Sequence, residues 1–157
     1  MKIQENLIME RRNALLILRK DRWRIFAFER RRKMTYQSKK HKEVFDKAMV
    51  KKNENNYRLI AVIYLLTADN ALWNLAKNAV KKNAVDFDAI KLNAIHPKGY
   101  TLYCAAKDIY LGTRHLAVSD LIDMNLVTPK LFGVITNAMA IRRFGMRAFA
   151  VSEHMWQ

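Results

Sequence analysis

A catalytic or metal site needs acid–base, nucleophilic or ligating side chains at spacings that a fold can bring together. The four His residues, His41, His96, His115 and His154, lie far apart in the chain, and no two share the i, i+4 spacing of a helix face. There is no CxxC, no HExxH and no Walker or Rossmann glycine pattern. With Cys104 as the single cysteine, zinc would have to draw on scattered His and carboxylate ligands. Cys104 sits in TLYCAAKDIY among apolar neighbours, which suits a small buried residue better than a nucleophile, and its nearest His, His115, lies beyond Gly112. The pairs Asp86/Asp88 and Asp120/Asp123 fit helix caps and first turns, where a carboxylate favours the dipole. No catalytic residue, metal ligand or cofactor is assigned, and the expectation is a protein that is not an enzyme. An enzyme would have to assemble its site from distant groups such as His41, Asp108 and His115.

What the chain does gather is positive charge interleaved with aromatic rings. Arg11, Arg12, Arg19, Lys20, Arg22, Arg24, Arg30, Arg31, Arg32 and Lys33 surround Trp23 and Phe26. Arginine forks pair with phosphates and release counterions, and aromatic rings stack on unpaired bases. These residues, Trp23 included, form the expected nucleic-acid-binding set. The competing view makes Trp23, Ile25, Phe26 and Phe28 core residues with the Arg groups in water around them. An amphipathic membrane helix fits less well, because RWRIFAFE does not separate apolar from basic residues on a helical wheel.

The formal charge of the 157-residue chain is +15. Residues 1–58 hold eighteen Lys/Arg against seven Asp/Glu, a net +11, whereas residues 59–157 hold eleven against seven, a net +4. So localised a field attracts polyanions, DNA or RNA or a nucleoprotein complex. A composition 51% hydrophobic and 27% charged is that of one globular domain. The longest apolar run, Leu59–Leu66, is far too short to span a bilayer, and Ala14–Leu18 is too short for a secretory h-region. A cytoplasmic protein without a membrane partner is expected.

The elements that position these residues read as helical. All four Gly and both Pro lie after residue 96, so the earlier chain lacks the residues of tight hairpins. Ser38 can cap a helix over about Lys39–Val50, KKNENN is a polar break, and YRLIAVIYLL reads as a buried segment. A helical pattern continues over Ala68–Val80, with Asp69 or Thr67 able to start it afresh. Asp86 or Asp88 can cap a short helix, and His96-Pro97-Lys98-Gly99 reads as a break before a helix at about Thr101–Leu111, stopped by Gly112. Ser119 can open a short helix over Asp120–Met124. Thr128-Pro129 marks a helix start and Gly145 its end, with Arg142 and Arg143 in the last turn. The prediction is an all-α, single-domain bundle of about six to eight helices. Residues 1–33 form a basic segment and 34–157 the helical domain, with 1–37 open between helix and hairpin. The Met-rich composition, Met124, Met139 and Met146 included, suggests adaptable core filling. Val118–Gly145 has the outline of a helix-turn-helix, but its second helix, LFGVITNAMAI, is too apolar for a DNA reader and reads as core.

The blocks HKEVF (His41–Phe45), YRLIAVIYLL (Tyr57–Leu66), GYTLYCAAKDIYLG (Gly99–Gly112) and DLIDMN…LFGVITNAMAIRRFG resemble small helical proteins of unknown function from Gram-positive bacteria, their phages and mobile elements. The resemblance starts at about Met34. It implies a helical fold and a mobile-element setting, and brings no catalytic residues. Together these readings point to a non-enzymatic accessory protein of a phage or mobile element that binds nucleic acid or a nucleoprotein complex; an anti-CRISPR-type inhibitor of host defence is one concrete form. The alternative is a protein–protein interaction or homodimerisation module whose N-terminal aromatic and basic segment is the interface.

Overall fold

Leu59–Leu66 carries no charged side chain, so a fold must cover it on every side. The computed structural model describes residues 33–149 of the chain, and it does so with helices. In order these are α1 (Lys39–Met49), α2 (Tyr57–Leu66), α3 (Asn70–Ala76), α4 (Pro97–Leu111), α5 (Val118–Ile122) and α6 (Pro129–Phe144), with 3₁₀ turns at Phe87–Ala89 and Met146–Ala148. Among the described residues there is no strand, only an isolated antiparallel bridge between Val80 and Val85. The fold is the expected all-α bundle, and Met34–Arg147 forms one compact unit.

Helix α2 is the axis. Every residue from Leu59 to Leu66 is buried, packed chiefly against α4 and α6, with α1 and α3 completing the shell. Burying side chains of this size contributes about 1.5–3 kcal/mol each. From α4 come Leu102, Cys104, Ala105 and Ala106, and from α6 come Leu131, Val134, Ile135, Ala138 and Ile141. Small Ala residues on α4 let that helix approach closely.

Helix ends follow local chemistry. Ser38, Asn56, Asp69 and Thr128 each accept a backbone N–H in the first turn of the helix they start. Pro129 occupies the first turn of α6, where a missing N–H is harmless. Gly112 closes α4 in the left-handed conformation, φ 73° and ψ 23°, and Gly145 follows α6 with φ 73° and ψ −172°, a conformation essentially reserved for glycine.

Several boundaries differ from the sequence reading. The Pro97 break is in fact a helix start: Pro97 sits in the first turn of α4, which begins four residues ahead of Thr101. Helix α5 begins at Val118 instead of Asp120, because Asp120 reaches back to accept the Ala117 N–H at 2.7 Å. Helix α3 stops at Ala76, and the chain then turns so that Asp86 N–H reaches the Ala79 carbonyl at 3.0 Å. The short helix after Asp86 is a single 3₁₀ turn. Residues 33–38 are irregular; the helix-or-hairpin expectation for the preceding chain lies outside the described residues.

Candidate nucleic-acid interface

Of the expected nucleic-acid-binding set only Lys33 falls among the described residues, and it is exposed. Arg11, Arg12, Arg19, Lys20, Arg22, Trp23, Arg24, Arg30, Arg31 and Arg32 lie outside them. The described fold nevertheless bears on the charge. Its carboxylates are mostly engaged with backbone N–H groups. Asp69 accepts Leu72 N–H, Asp86 accepts Asp88 and Ala89 N–H, and Asp123 accepts Asn125 N–H. Asp108 gathers the N–H groups of His115 and Leu116, each at 2.9 Å, and the Thr113 hydroxyl at 2.7 Å. Burial opposes ionisation of Asp108, yet these donors together hold its carboxyl below the usual range. Among the described residues one Lys–carboxylate pair remains, Lys42–Asp46 at 2.7 Å, on an exposed face of α1. Lysines and arginines are therefore left in excess at the surface.

The three groups named for a distant enzyme site separate into two places. His115 Nδ1 lies 2.8 Å from Asp108 Oδ1, so the chain brings that pair together across Gly112. The Asp oxygens there bind the loop backbone, and the adjoining shallow cleft of about 220 Å³ is lined mainly by Ala105, Ile109, Leu116, Leu121, Ile135 and Met139, which offer no nucleophile. The geometry is that of a loop clamp after α4.

His41 is buried elsewhere. Helix α2 ends at Leu66, which leaves the Tyr64 carbonyl without an intrahelical partner. His41 Nε2–H donates to that carbonyl at 2.8 Å, and Nδ1 accepts the Gln37 N–H at 3.0 Å. Burial lowers its pKa to about 4, overriding the carbonyl contact, with Lys98 adding to the fall. The ring packs within a cluster of Tyr36, Phe45 and Tyr64. The Tyr64 hydroxyl donates to the Thr35 carbonyl and accepts from Asn137 Nδ2 at 3.3 Å, and burial pushes its pKa well up. Sequence inspection missed this core polar cluster; the signal was a His beginning the apolar stripe of α1 within a lysine-rich stretch.

Cys104 is buried, and burial raises its thiol pKa, as suits a core residue. Among the described residues no three His, Cys, Asp or Glu side chains gather as metal ligands. No described helix is long and apolar enough to cross a membrane. Helix α6 places Leu131, Val134, Ile135 and Asn137 in the core, so the helix-turn-helix outline encloses a core helix and its Asn is engaged with Tyr64. The methionines are a correction: Met124 and Met139 are exposed instead of filling the core. The chain matches no protein-family model, no curated protein and no solved structure.

Proposed function

We propose that the protein is a non-enzymatic accessory protein of a phage or mobile element that acts by binding nucleic acid or a nucleoprotein complex, with inhibition of a host defence system, of anti-CRISPR type, as one form. The observation that carries this reading is the fate of the charges. There are 29 Lys/Arg against 14 Asp/Glu, so most of the positive charge has no carboxylate to balance it, and among the described residues only Lys42–Asp46 forms a Lys/Arg ion pair. A surface of this kind gains affinity for a polyphosphate through counterion release. The resemblance of the blocks from about Met34 onward supports the mobile-element setting.

Fluorescence anisotropy with labelled DNA and RNA tests the binding. Affinity should fall steeply from low to physiological salt, and Arg30→Ala/Arg31→Ala/Arg32→Ala should weaken binding to all sequences alike. No binding at low salt, or binding indifferent to salt, refutes the reading.

A second reading has its own observation. Val118, Ile122 and Met124 are each at least 71% exposed, an apolar surface of the sort that marks protein contacts. Here the chain is an interaction or homodimerisation module. Light scattering after size exclusion checks it: a monomer mass unchanged by concentration removes the homodimer.

A further inference from the structure

The tripeptide KKN occurs twice, at Lys51–Asn53 and Lys81–Asn83, thirty positions apart. Each copy occupies a turn, the first between α1 and α2, the second between α3 and the bridge residue Val85. The fold binds these turns to one another. Lys52 Nζ donates to the Lys81 carbonyl at 2.6 Å, and Asn56 Nδ2 donates to the Asn83 carbonyl at 3.1 Å. Asn56 also caps α2 through its Oδ1, which accepts Leu59 N–H at 3.2 Å. One side chain thus ties both turns to the start of the core helix.

The second turn is closed on itself. Lys81 N–H reaches the Ala84 carbonyl at 2.8 Å, and Lys81 Nζ folds onto the Asn78 carbonyl at 2.8 Å. Arg58, in the first turn of α2, stacks its guanidinium 4.1 Å from the centre of the Tyr110 ring, whose hydroxyl accepts Val85 N–H at 3.1 Å. Arg58 therefore flanks the same junction. Lys51, Lys81, Lys82 and Arg58 are exposed, and Lys52 is half-buried. Glu54 is the single carboxylate within the first turn, and the stretch from Lys77 to Ala84 has none.

Lys51 has φ 62°, a left-handed conformation just after α1 that glycine adopts without strain. Ala94 adopts a similar φ of 56°, so the backbone alone assigns Lys51 no role; its exposure and its place in the paired turns do.

We propose that the paired KKN turns are a binding site for the phosphate backbone of nucleic acid, with Lys51, Lys52, Lys81 and Lys82 contacting phosphates and Arg58 at the edge. The site rests on the nucleic-acid reading above and locates it within the helical unit. Each ammonium has three donors; Lys52 and Lys81 each use one within the fold and keep two for phosphate oxygens. Asn53, Asn55, Asn78 and Asn83 belong to the same two stretches, and side-chain amides suit phosphate and sugar contacts, which position a duplex without reading its sequence. The turns belong to a hydrogen-bonded frame, so little ordering is needed on binding.

The test uses the full chain and fluorescence anisotropy, with a labelled random-sequence DNA duplex and a single-stranded RNA of equal length as probes. The variant Lys51→Gln/Lys52→Gln/Lys81→Gln/Lys82→Gln is compared with Lys39→Gln/Lys40→Gln/Lys47→Gln/Lys130→Gln, which removes the same charge from elsewhere on the surface. The KKN variant should bind roughly 10- to 100-fold more weakly and show a log–log salt slope shallower by about 3, while the control loses under about 5-fold. If the KKN variant misfolds by circular dichroism, Lys51→Gln/Lys82→Gln decides, since neither ammonium makes a hydrogen bond among the described residues. It should lose roughly 5- to 10-fold. Equal losses in the KKN variant and the control overturn the site and leave diffuse charge. Binding retained by the KKN variant but abolished by Arg30→Ala/Arg31→Ala/Arg32→Ala also overturns it, while the broader reading stands. Failure of the unaltered protein to bind either probe overturns both.

Discussion

Asp69 and His96 cap two helices through each other. Asp69 Oδ1 accepts Leu72 N–H at the start of α3, and Oδ2 lies 3.1 Å from His96 Nε2. The other ring nitrogen, Nδ1, accepts Gly99 N–H at the start of α4, at 3.3 Å. The carboxylate therefore selects the His96 tautomer that can cap. Asp69→Ala should lose about 2 kcal/mol and His96→Ala about 1 kcal/mol, as for other N-caps. The two should be coupled by about 0.5–1 kcal/mol in a double-mutant cycle followed by urea unfolding. Strict additivity would mean that the caps act separately.

His41 makes stability depend on pH. The unfolded chain takes up a proton near the ordinary value of 6.5, but the folded ring only near pH 4. The unfolded state thus binds more protons between these values. Stability is full above the unfolded pKa and declines as pH falls through that window, by about 3 kcal/mol at the lower end. The urea midpoint should drop between about pH 7 and about pH 4.5, and His41→Gln should flatten that slope. A wild-type midpoint that holds steady over this range would show that the ring is not held neutral.

Gly112 and Gly145 share φ 73° but differ in ψ, 23° at Gly112 and −172° at Gly145, and in surroundings. A Cβ at Gly112 meets nothing within 4 Å, whereas one at Gly145 would sit 2.5 Å from Tyr57 Cε1. Gly112→Ala should therefore cost about 1 kcal/mol, the backbone strain alone. Gly145→Ala should cost about 3 kcal/mol, because its φ/ψ pair is open essentially to glycine alone and because Tyr57 has to move, taking with it the hydroxyl contact to Arg147. Thermal unfolding of the two variants side by side gives the comparison, and equal losses would mean that neither the Gly145 backbone nor the Tyr57 ring resists the added methyl.

Lys51→Gly separates stability from binding. Removing the left-handed strain should raise stability by about 1 kcal/mol, and loss of one ammonium should weaken nucleic-acid affinity by about 3-fold. Melting temperature and anisotropy should thus move in opposite senses. Stabilisation with unchanged affinity would leave Lys51 without a role in binding.

Much of the bundle is written locally. Ser38, Asp69, Thr128-Pro129 and Gly112 each act within a turn of their own position, so their helix ends can be read from neighbouring residues. Pro97 misleads because a His before it reads as a break until its ring is seen accepting Gly99 N–H. Ala117 has no side chain with which to announce a cap; its N–H is met by Asp120, three residues on. Other contacts are not local. His41 meets Tyr64 across 23 positions and Lys52 meets Lys81 across 29. Charge counting finds the cations, but only the fold shows that two identical turns lie together.

Helix α2 has a consequence outside the native state. Leu59–Leu66 is uncharged, free of Gly and Pro, and rich in branched and aromatic residues, the composition of a segment that adds readily to a neighbouring chain as a strand. In the bundle it is sealed; in any partly opened chain it is the stickiest stretch available. Only Arg58 before it and Asp69 after it stand as charged gatekeepers. Heating at high concentration should therefore end in precipitate instead of a reversible melt, and the residues that make the core impregnable also make its loss irreversible.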